Sequence, residues 1–345
     1  MRKPRREKDR VRESRTRQGR AGEGTAVAAG LAATEEHRAT ARRLLGEGHG
    51  GRRARATGAV RAVLRDRRGA VGAGLLTVFA LIAALAPWLA PQDPRAAGSF
   101  SSAILADPST AHWLGTDENG RDLLSQLLLG TQDTMLVGFT AALVSSVIGT
   151  AVGIAAGYFG GWTDRILSIL NDWFLVLPMI PVTVLAASLL GNRAAHLPLG
   201  RTTVLIMVIG LFGWAGTSRI VRAEVLSLKH RAFVERSVVL GAGRLRVIRT
   251  QILPNVAPLV LANAVVYVAL SVLTESTLSY LGLGDPDRFS WGGMLQSAQE
   301  SGAMSTGAWG YFLAPGLGIT LVVLGFSLLG HAIESRVDPR LREQR

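Results

Sequence analysis

Residues 223–254 read AEVLSLKHRAFVERSVVLGAGRLRVIRTQILP, a basic stretch between two long uncharged runs. It carries six Lys or Arg, has Gly241 and Gly243 as turn residues, and is stopped by Pro254. A helix rises about 1.5 Å per residue, so about 20 apolar residues cross a hydrocarbon core of ~30 Å. The flanking runs reach that length. The stretch is therefore a solvent-facing connection between two membrane helices, and the rest of the chain is read outward from it.

Uncharged runs occur at 70–90, 134–163, 173–192, 202–218, 250–274 and 301–333. Trimmed to membrane length they predict helices at 70–90, 134–159, 167–191, 202–221, 257–281 and 311–333. The expected fold is all-α: a polytopic membrane protein with six transmembrane helices and a membrane domain over 70–345. Pro91 and Pro94 end the first helix and open a polar segment that runs to about Asp133. Pro178 and Pro181 are expected to kink the third helix, because proline removes a helical hydrogen bond and clashes with the preceding turn. Gly149, Gly153 and Gly157 recur every fourth residue and line one face of the second helix, where small residues admit a close neighbour. The other reading of that stripe is chance in a chain with 40 glycines.

Composition agrees with a membrane class. The 345 residues are 48% hydrophobic with a mean hydropathy of +0.27. The net charge of +13 is concentrated in residues 1–68, which hold 20 Lys or Arg against 8 Asp or Glu; residues 69–345 hold 18 against 17. Residues 1–57 are charged, Gly-rich and poor in aromatic residues, which predicts a disordered basic tail. Residues 58–69, GAVRAVLRDRRG, read as a juxtamembrane amphipathic segment on anionic headgroups or as a solvated continuation of the tail. The apolar core that follows begins near residue 70, too late for a secretory signal peptide. Cysteine is absent, which excludes disulfides, thiolate metal sites and a cysteine nucleophile. Arg outnumbers Lys 35 to 3, a bias that reads as genome composition more than as chosen bidentate contacts.

Orientation follows from loop charge, because Lys and Arg resist translocation. The tail holds 20, the connection near 160–166 one, the 219–250 stretch eight and the segment after Glu334 four. The alternating loops hold two (91–133), two (192–201) and one (282–310). Both termini and the basic stretch are thereby expected on the cytoplasmic side of a cell membrane.

No phosphate-loop pattern and no HExxH occur, so neither ATP hydrolysis nor zinc chemistry is expected of this chain. The six histidines, His37, His49, His112, His196, His230 and His331, are scattered without metal-ligand spacing. DENGRD at 117–122 resembles the start of a calcium loop, but Leu128 stands where the bidentate Glu belongs. No catalytic residue, cofactor site or metal site is assigned. Asp164, Asp172 and Glu275 lie in or beside spans and each demands a partner. For Asp164 and Asp172 the expectation is a bond to Arg165 or to neighbouring helix ends; Glu275 is expected near the outer end of the fifth helix.

The basic stretch itself predicts one helix over 224–240, with Val225, Leu228, Ala232 and Val239 towards one side and Glu235 one turn from Arg231. Gly241 supplies a sharp turn. A second short helix, 244–252, leads through Leu253 and Pro254 into the next crossing. Such an elbow can carry motion between a soluble partner and the helix bundle.

Glu235, Gly241 six residues on, and Leu253-Pro254 resemble the EAA loop of bacterial ABC importer permeases: EAA, three residues, Gly, nine residues, Ile, one residue, Leu-Pro. In this chain the two alanines are Arg236 and Ser237 and the Ile position is Gln251. Further motifs are similar to the C-type (DppC/OppC-like) subunit of the dipeptide, oligopeptide and nickel group. They are LAPWLAPQDP at 85–94, HWLGTDENGRDLLSQLLLG at 112–130, GYFGGWTD at 157–164, LSYLGLG at 278–284, SWGGML at 290–295 and LLGHAIESRVDPRLR at 328–342. The resemblance covers about residues 58–345. It implies a MetI-like permease fold, a non-identical second permease subunit, two cytoplasmic ATPase subunits and an extracytoplasmic substrate-binding protein. It also implies that the loop docks on an ATPase, with Arg231, Glu235, Arg236 and Arg244 as contacts, Gly241 setting the elbow, and Leu253 and Pro254 closing it. The chain would be a translocation subunit and not an enzyme, with peptide as the default cargo and nickel or glutathione as others.

Two other classes fit parts of the sequence. An ATP-independent secondary transporter or channel is compatible with six crossings, but it predicts buried acid–base pairs or inverted repeats. A membrane-tethered nucleic-acid binder would use the basic tail, for which attraction to anionic lipid is the simpler account; no specific nucleic-acid partner is expected.

Overall fold

The computed structural model describes residues 63–91, 104–194 and 200–337. The expected tail 1–57, most of the juxtamembrane segment, Pro94, and the end of the chain beyond Val337 lie outside them. Backbone N–H and C=O groups find no water in hydrocarbon and must bond within their own segment. Accordingly, the described residues are helical, apart from loops and one isolated bridge, Thr116 to Asp122.

In chain order the helices are α1 (Arg67–Leu89), α2 (Leu123–Phe159), α3 (Gly161–Val176), α4 (Met179–Ala194), α5 (Arg201–Lys229) and α6 (Ala232–Val239). They continue with α7 (Arg244–Val247), α8 (Leu253–Leu278), α9 (Trp291–Glu300), α10 (Ala303–Thr306) and α11 (Trp309–Val337). A widened π turn, Ile248–Ile252, joins α7 to α8 without interruption, and a second, Ser279–Leu283, extends α8. The first π turn immediately precedes Pro254, whose ring would clash with the carbonyl four residues back in a regular α turn.

Among the described residues five stretches are long and apolar enough to cross a membrane: Arg67–Leu89, Leu123–Phe159, Arg201–Lys229, Arg244–Leu283 and Trp309–Ser335. The expected third helix, 167–191, is not one rod. α3 and α4 meet at a bend of 92°, and the count reaches six only if this pair is one broken span. Pro178 is the cause: it forces Leu177 into an extended conformation (φ −63°, ψ 129°) and so ends α3. Pro181 falls in the first turn of α4, where its missing N–H costs nothing.

α2 begins at Leu123, well before the expected 134. Asp122 caps it, accepting hydrogen bonds from the Ser125 N–H (2.8 Å) and hydroxyl (2.7 Å). The polar residues that seemed to exclude this stretch are satisfied within the protein: Gln126 donates to Asp117 (2.8 Å), and Asp133 pairs with Arg288 (2.8 Å).

The central contact is α2 on α5. A Cβ placed on Gly149 or Gly153 would lie 2.7 Å from the backbone oxygen of Trp214 or Ser218, and one on Gly157 would lie 2.9 Å from Val225 Cβ. The glycine stripe is thus a true helix–helix seam and not an accident of composition. Elsewhere Trp291, 1% exposed, lies between Gly130 of α2 and Gly318 of α11. Its indole N–H donates to the Leu127 carbonyl (3.1 Å), and its backbone N–H donates to the Thr134 hydroxyl (3.1 Å). This explains the SWGGML motif: the Trp fills a slot between two spans, and Gly292 passes within reach of the Ser276 backbone.

Gly153→Leu should push α5 away from α2 and destabilise the protein by about 1–3 kcal/mol, the usual cost of overpacking. Gly216→Ala, where nothing lies within 4 Å of the added carbon, should leave stability unchanged or raised. Thermal unfolding of both variants in detergent measures the difference.

Candidate functional site

The basic stretch folds as an elbow at the end of α5, but its first helix is divided. Residues 224–229 continue α5, which ends at Lys229, and Arg231 is extended (φ −79°, ψ 139°) before α6 starts. The expected single helix 224–240 is therefore corrected. Val221, Val225 and Leu228 prolong the buried face of α5 against α2, so tertiary burial carries the membrane helix further than charge counting suggested. Val234 is the buried residue of α6; Ala232 and Val239, expected on the packed side with Val225 and Leu228, are exposed.

The turn after α6 is a Schellman motif. The Gly241 N–H reaches the Val238 carbonyl (2.9 Å), and the Ala242 N–H reaches the Ser237 carbonyl (3.0 Å). Gly241 has φ +82°, a region L side chains rarely enter. α7 then starts at Arg244 and runs through the π turn into α8, so Leu253 and Pro254 open a helix already under way. Val225, Leu228, Val234, Val247, Ile252 and Val256 close into one buried cluster beneath the elbow.

The opposite side of the elbow is open. Arg231, Glu235, Arg236, Gly241, Arg244, Leu253 and Pro254, the residues expected to form the docking loop, are all exposed. Between Arg231 and Glu235 the bond is a backbone one, the Glu235 N–H to the Arg231 carbonyl (3.1 Å), in place of the expected side-chain pair. Beside the charges stand exposed apolar side chains: Val239, which the sequence reading placed on the packed side, and Leu240, 85% and 81% exposed, with Phe233, Val238 and Leu245, which it did not single out. Their signal was available, since α6 carries more apolar residues than one buried face can use. A recess of about 600 Å³ adjoins them, bordered by Tyr158, Lys229, Val238, Val239, Ala242 and Arg244.

At the other end of α5, about 40 Å away at helical rise, the segment 112–122 forms a tight knot. Asp117, 2% exposed, accepts the backbone N–H groups of Asn119 (2.8 Å) and Arg121 (2.7 Å) and the amide of Gln126. Glu118 accepts the Tyr311 hydroxyl (2.8 Å), and His112 lies 3.0 Å from Asp122. The acids of DENGRD thus satisfy turn and helix groups, and no group of three or more potential metal ligands occurs among the described residues. A recess of about 360 Å³ opens beside the knot, bordered by Glu118, Arg121, Asp285, Arg288 and Glu300 among others.

Asp164 and Asp172 are bonded neither to Arg165 nor to a helix end but to arginine side chains within α5. Arg222 of α5 grips Asp164 through two nitrogens (2.5 and 2.8 Å), and Arg219 reaches Asp172 (2.9 Å). Arg165 instead lies over the Trp162 ring. Glu275 is near the C-terminal end of α8 and 2% exposed, accepting hydroxyl bonds from Ser279 (2.8 Å) and Ser276 (3.3 Å). His230 caps α5, and His331 Nδ1 lies 2.7 Å from the Ser327 carbonyl; His37, His49 and His196 lie outside the described residues.

Residues 149–343 match the family described as binding-protein-dependent transport system inner membrane component. Residues 57–108 match the N-terminal transmembrane domain of oligopeptide transport permease C. The chain is 34% identical over 294 residues to the oligopeptide transport system permease protein OppC of Mycobacterium tuberculosis, covering 84% of this chain and 97% of that protein. It is 34% identical over 285 residues to the dipeptide transport system permease protein DppC of Haemophilus influenzae (81% and 93%). Against the glutathione transport system permease protein GsiD of Pectobacterium atrosepticum the identity is 32% over 275 residues (79% and 87%).

Asp122→Ala should remove the cap of α2 and lower stability by about 1 kcal/mol. The same change at exposed Glu300 should have little effect. Melting temperatures in detergent compare the two.

Proposed function

Because the chain belongs to the family of binding-protein-dependent transport system inner membrane components, as a multi-pass permease of the oligopeptide and dipeptide ABC importer type, we propose that its elbow couples ATP hydrolysis on separate subunits to alternating access. The observation that carries this reading is the two-sided elbow. One side is locked to α5 and α8 by buried Val225, Val234, Val247 and Ile252, while the other presents Val239 and Leu240 beside Arg231, Arg236 and Arg244. Exposed apolar side chains ringed by cations on a rigid mount fit a protein partner. Glu235 lies on the same open surface.

In this reading two cytoplasmic ATPase subunits draw together on binding ATP, and the elbows of this chain and of a second, non-identical permease follow them. The bundle then opens towards a loaded binding protein on the outer side, where the recess between Glu118 and Arg288 lies. α3 and α4 count as one broken span: α3 follows the inner half of α5, through Asp164–Arg222 and Phe174–Trp214, and α4 follows its outer half near Leu205 and Ile209. Six crossings then leave both termini in the cytoplasm, in agreement with loop charge. Peptides are the proposed cargo, selected mainly by the binding protein, and the basic tail 1–57 is drawn to anionic headgroups.

The secondary-transporter reading finds little support in the acid–base pairs. Arg219 and Asp172 are 64% and 61% exposed, which suits a surface pair more than an enclosed proton route. Vesicles containing this chain alone should show no uptake of a labelled peptide under an imposed proton gradient.

Gly241→Asp should insert normally, lose the ATPase that co-purifies with the tagged chain, and abolish uptake of a labelled di- or oligopeptide. Normal uptake with the ATPase retained would exclude docking at this elbow.

A further inference from the structure

Three cations on the inner half of α5 hold the elements around its stem. Arg222 donates through Nε and Nη2 to both oxygens of Asp164, whose Oδ1 also accepts the Ser168 hydroxyl (3.1 Å). Arg219 reaches Asp172 one turn nearer the membrane centre. Lys229 donates to the Tyr158 carbonyl at the end of α2 (2.9 Å), which caps that helix terminus, and its ammonium lies 6.0 Å from the Tyr158 ring centroid.

These contacts are unequal. The Arg219–Asp172 pair is well exposed and so holds little. Arg222 and Asp164 are 36% and 23% exposed, and their fork-on-fork geometry fixes direction as well as distance. Five residues beyond Asp172, the chain leaves α3 at the Leu177–Pro178 break, and α4 rests on the outer half of α5 through apolar contacts, Ala187 and Val184 against Leu205 and Ile209. α3 is thus tied to α5 by directional bonds, and α4 by contacts that permit sliding.

Behind the clamp, between α2, α3 and α5, is a cavity of about 300 Å³ bordered by Ala156, Ser168, Asn171 and Ser218. Asn171 is 6% exposed, and its side-chain oxygen has no hydrogen-bond partner among the described residues. Close packing resists small displacements, whereas space beside an unsatisfied amide allows them. α3 is therefore packed loosely where it faces the α2–α5 seam, and the Arg222–Asp164 fork is its directional attachment to that frame.

We propose that Arg222 and Asp164 are positioning residues that make α3 move with the elbow, and that the displacement is released at the Leu177–Pro178 break, so that α3 turns against α4. The inference rests on ATPase docking at the elbow. Motion entering at α6 passes into the stem of α5, is handed to α3 by the Arg222–Asp164 fork, and changes the angle of the broken pair.

The natural absence of cysteine makes site-specific spin labelling direct. Cysteine pairs at Ile166 and Arg246, and separately at Leu189 and Arg246, are labelled in the complete importer in lipid nanodiscs. Distances are measured by pulsed electron resonance without nucleotide and with Mg-ATP and vanadate. The expected result is a narrow Ile166–Arg246 distance that nucleotide leaves unchanged and a Leu189–Arg246 distance that nucleotide shifts. Arg222→Gln should broaden the first distribution even without nucleotide, and the exchange Asp164→Arg with Arg222→Asp should narrow it again. An Ile166–Arg246 distance indifferent to Arg222→Gln, or one that shifts with nucleotide in the unsubstituted chain, overturns the inference while leaving docking intact. A Leu189–Arg246 distance that ignores nucleotide while the ATPase still co-purifies with the tagged chain overturns the release at the Leu177–Pro178 break; loss of the co-purifying ATPase overturns elbow docking instead, and the Arg222→Gln measurement without nucleotide then still decides whether the fork holds α3.

Discussion

Everything at the inner end of this protein depends on how closely α2 and α5 approach. Gly149, Gly153 and Gly157 leave no side chain between the two helices, so Thr217, Val221 and Val225 rest almost on the α2 backbone. In hydrocarbon there is no hydrophobic force to press helices together, and close van der Waals contact has to supply the attraction. A methyl group at any of the three positions would separate the helices, displacing the buried cluster that carries the elbow and withdrawing Lys229 from the Tyr158 carbonyl. The elbow is rigid because the seam beneath it is tight.

A second constraint acts at the outer end, where the chain must leave helices without stranding polar groups. The acidic residues of 117–122 do this by turning inward. Asp117 gathers two backbone N–H groups and the Gln126 amide, and Asp122 caps α2. Read as a string, the same residues suggest a cation; folded, their lone pairs are already taken. Buried polar atoms cost least when each has a partner, and this turn supplies N–H donors at the right spacing.

The sequence made the spans legible wherever uncharged runs were long, because only a helix can carry that many apolar residues through a bilayer. It also made the turn at Gly241 legible, since few residues other than glycine tolerate φ +82°. It failed where tertiary contact overrides local pattern. Asp133 and Gln126 appeared to forbid a helix before residue 134, and their partners, Arg288 and Asp117, are visible only in three dimensions. α5 ran past its charges to Lys229 for the same reason, held by burial of Val225 and Leu228. Pro178 announced a kink, but not that it would turn the chain through 92°. At the elbow the charged residues were legible from spacing, and so was the surplus of apolar residues in α6; which of them stay exposed follows from Val234 taking the buried face.

The two helices that carry the elbow are also joined at their far ends. α5 and α8 meet at the inner side through α6 and α7; at the outer side Thr202 of α5 donates to Asp285 just beyond α8 (2.8 Å), and Arg288 of the same loop pairs with Asp133 of α2. A pair of helices fastened at one end splays when pushed at the other. Fastened at both ends and pressed against α2, the pair resists splaying, so under the proposed docking a displacement entering at Val239 and Leu240 would be carried towards the outer recess. The flexible point then has to lie outside this frame. Among the described residues the sharpest interruption beside it is the Leu177–Pro178 break, whose inner arm is held to α5 by Arg222 and whose outer arm rests on apolar contacts. Rigidity in the frame and a break beside it are therefore complementary: in the proposed coupling the frame would transmit a movement, and the broken pair would convert it into a change of shape.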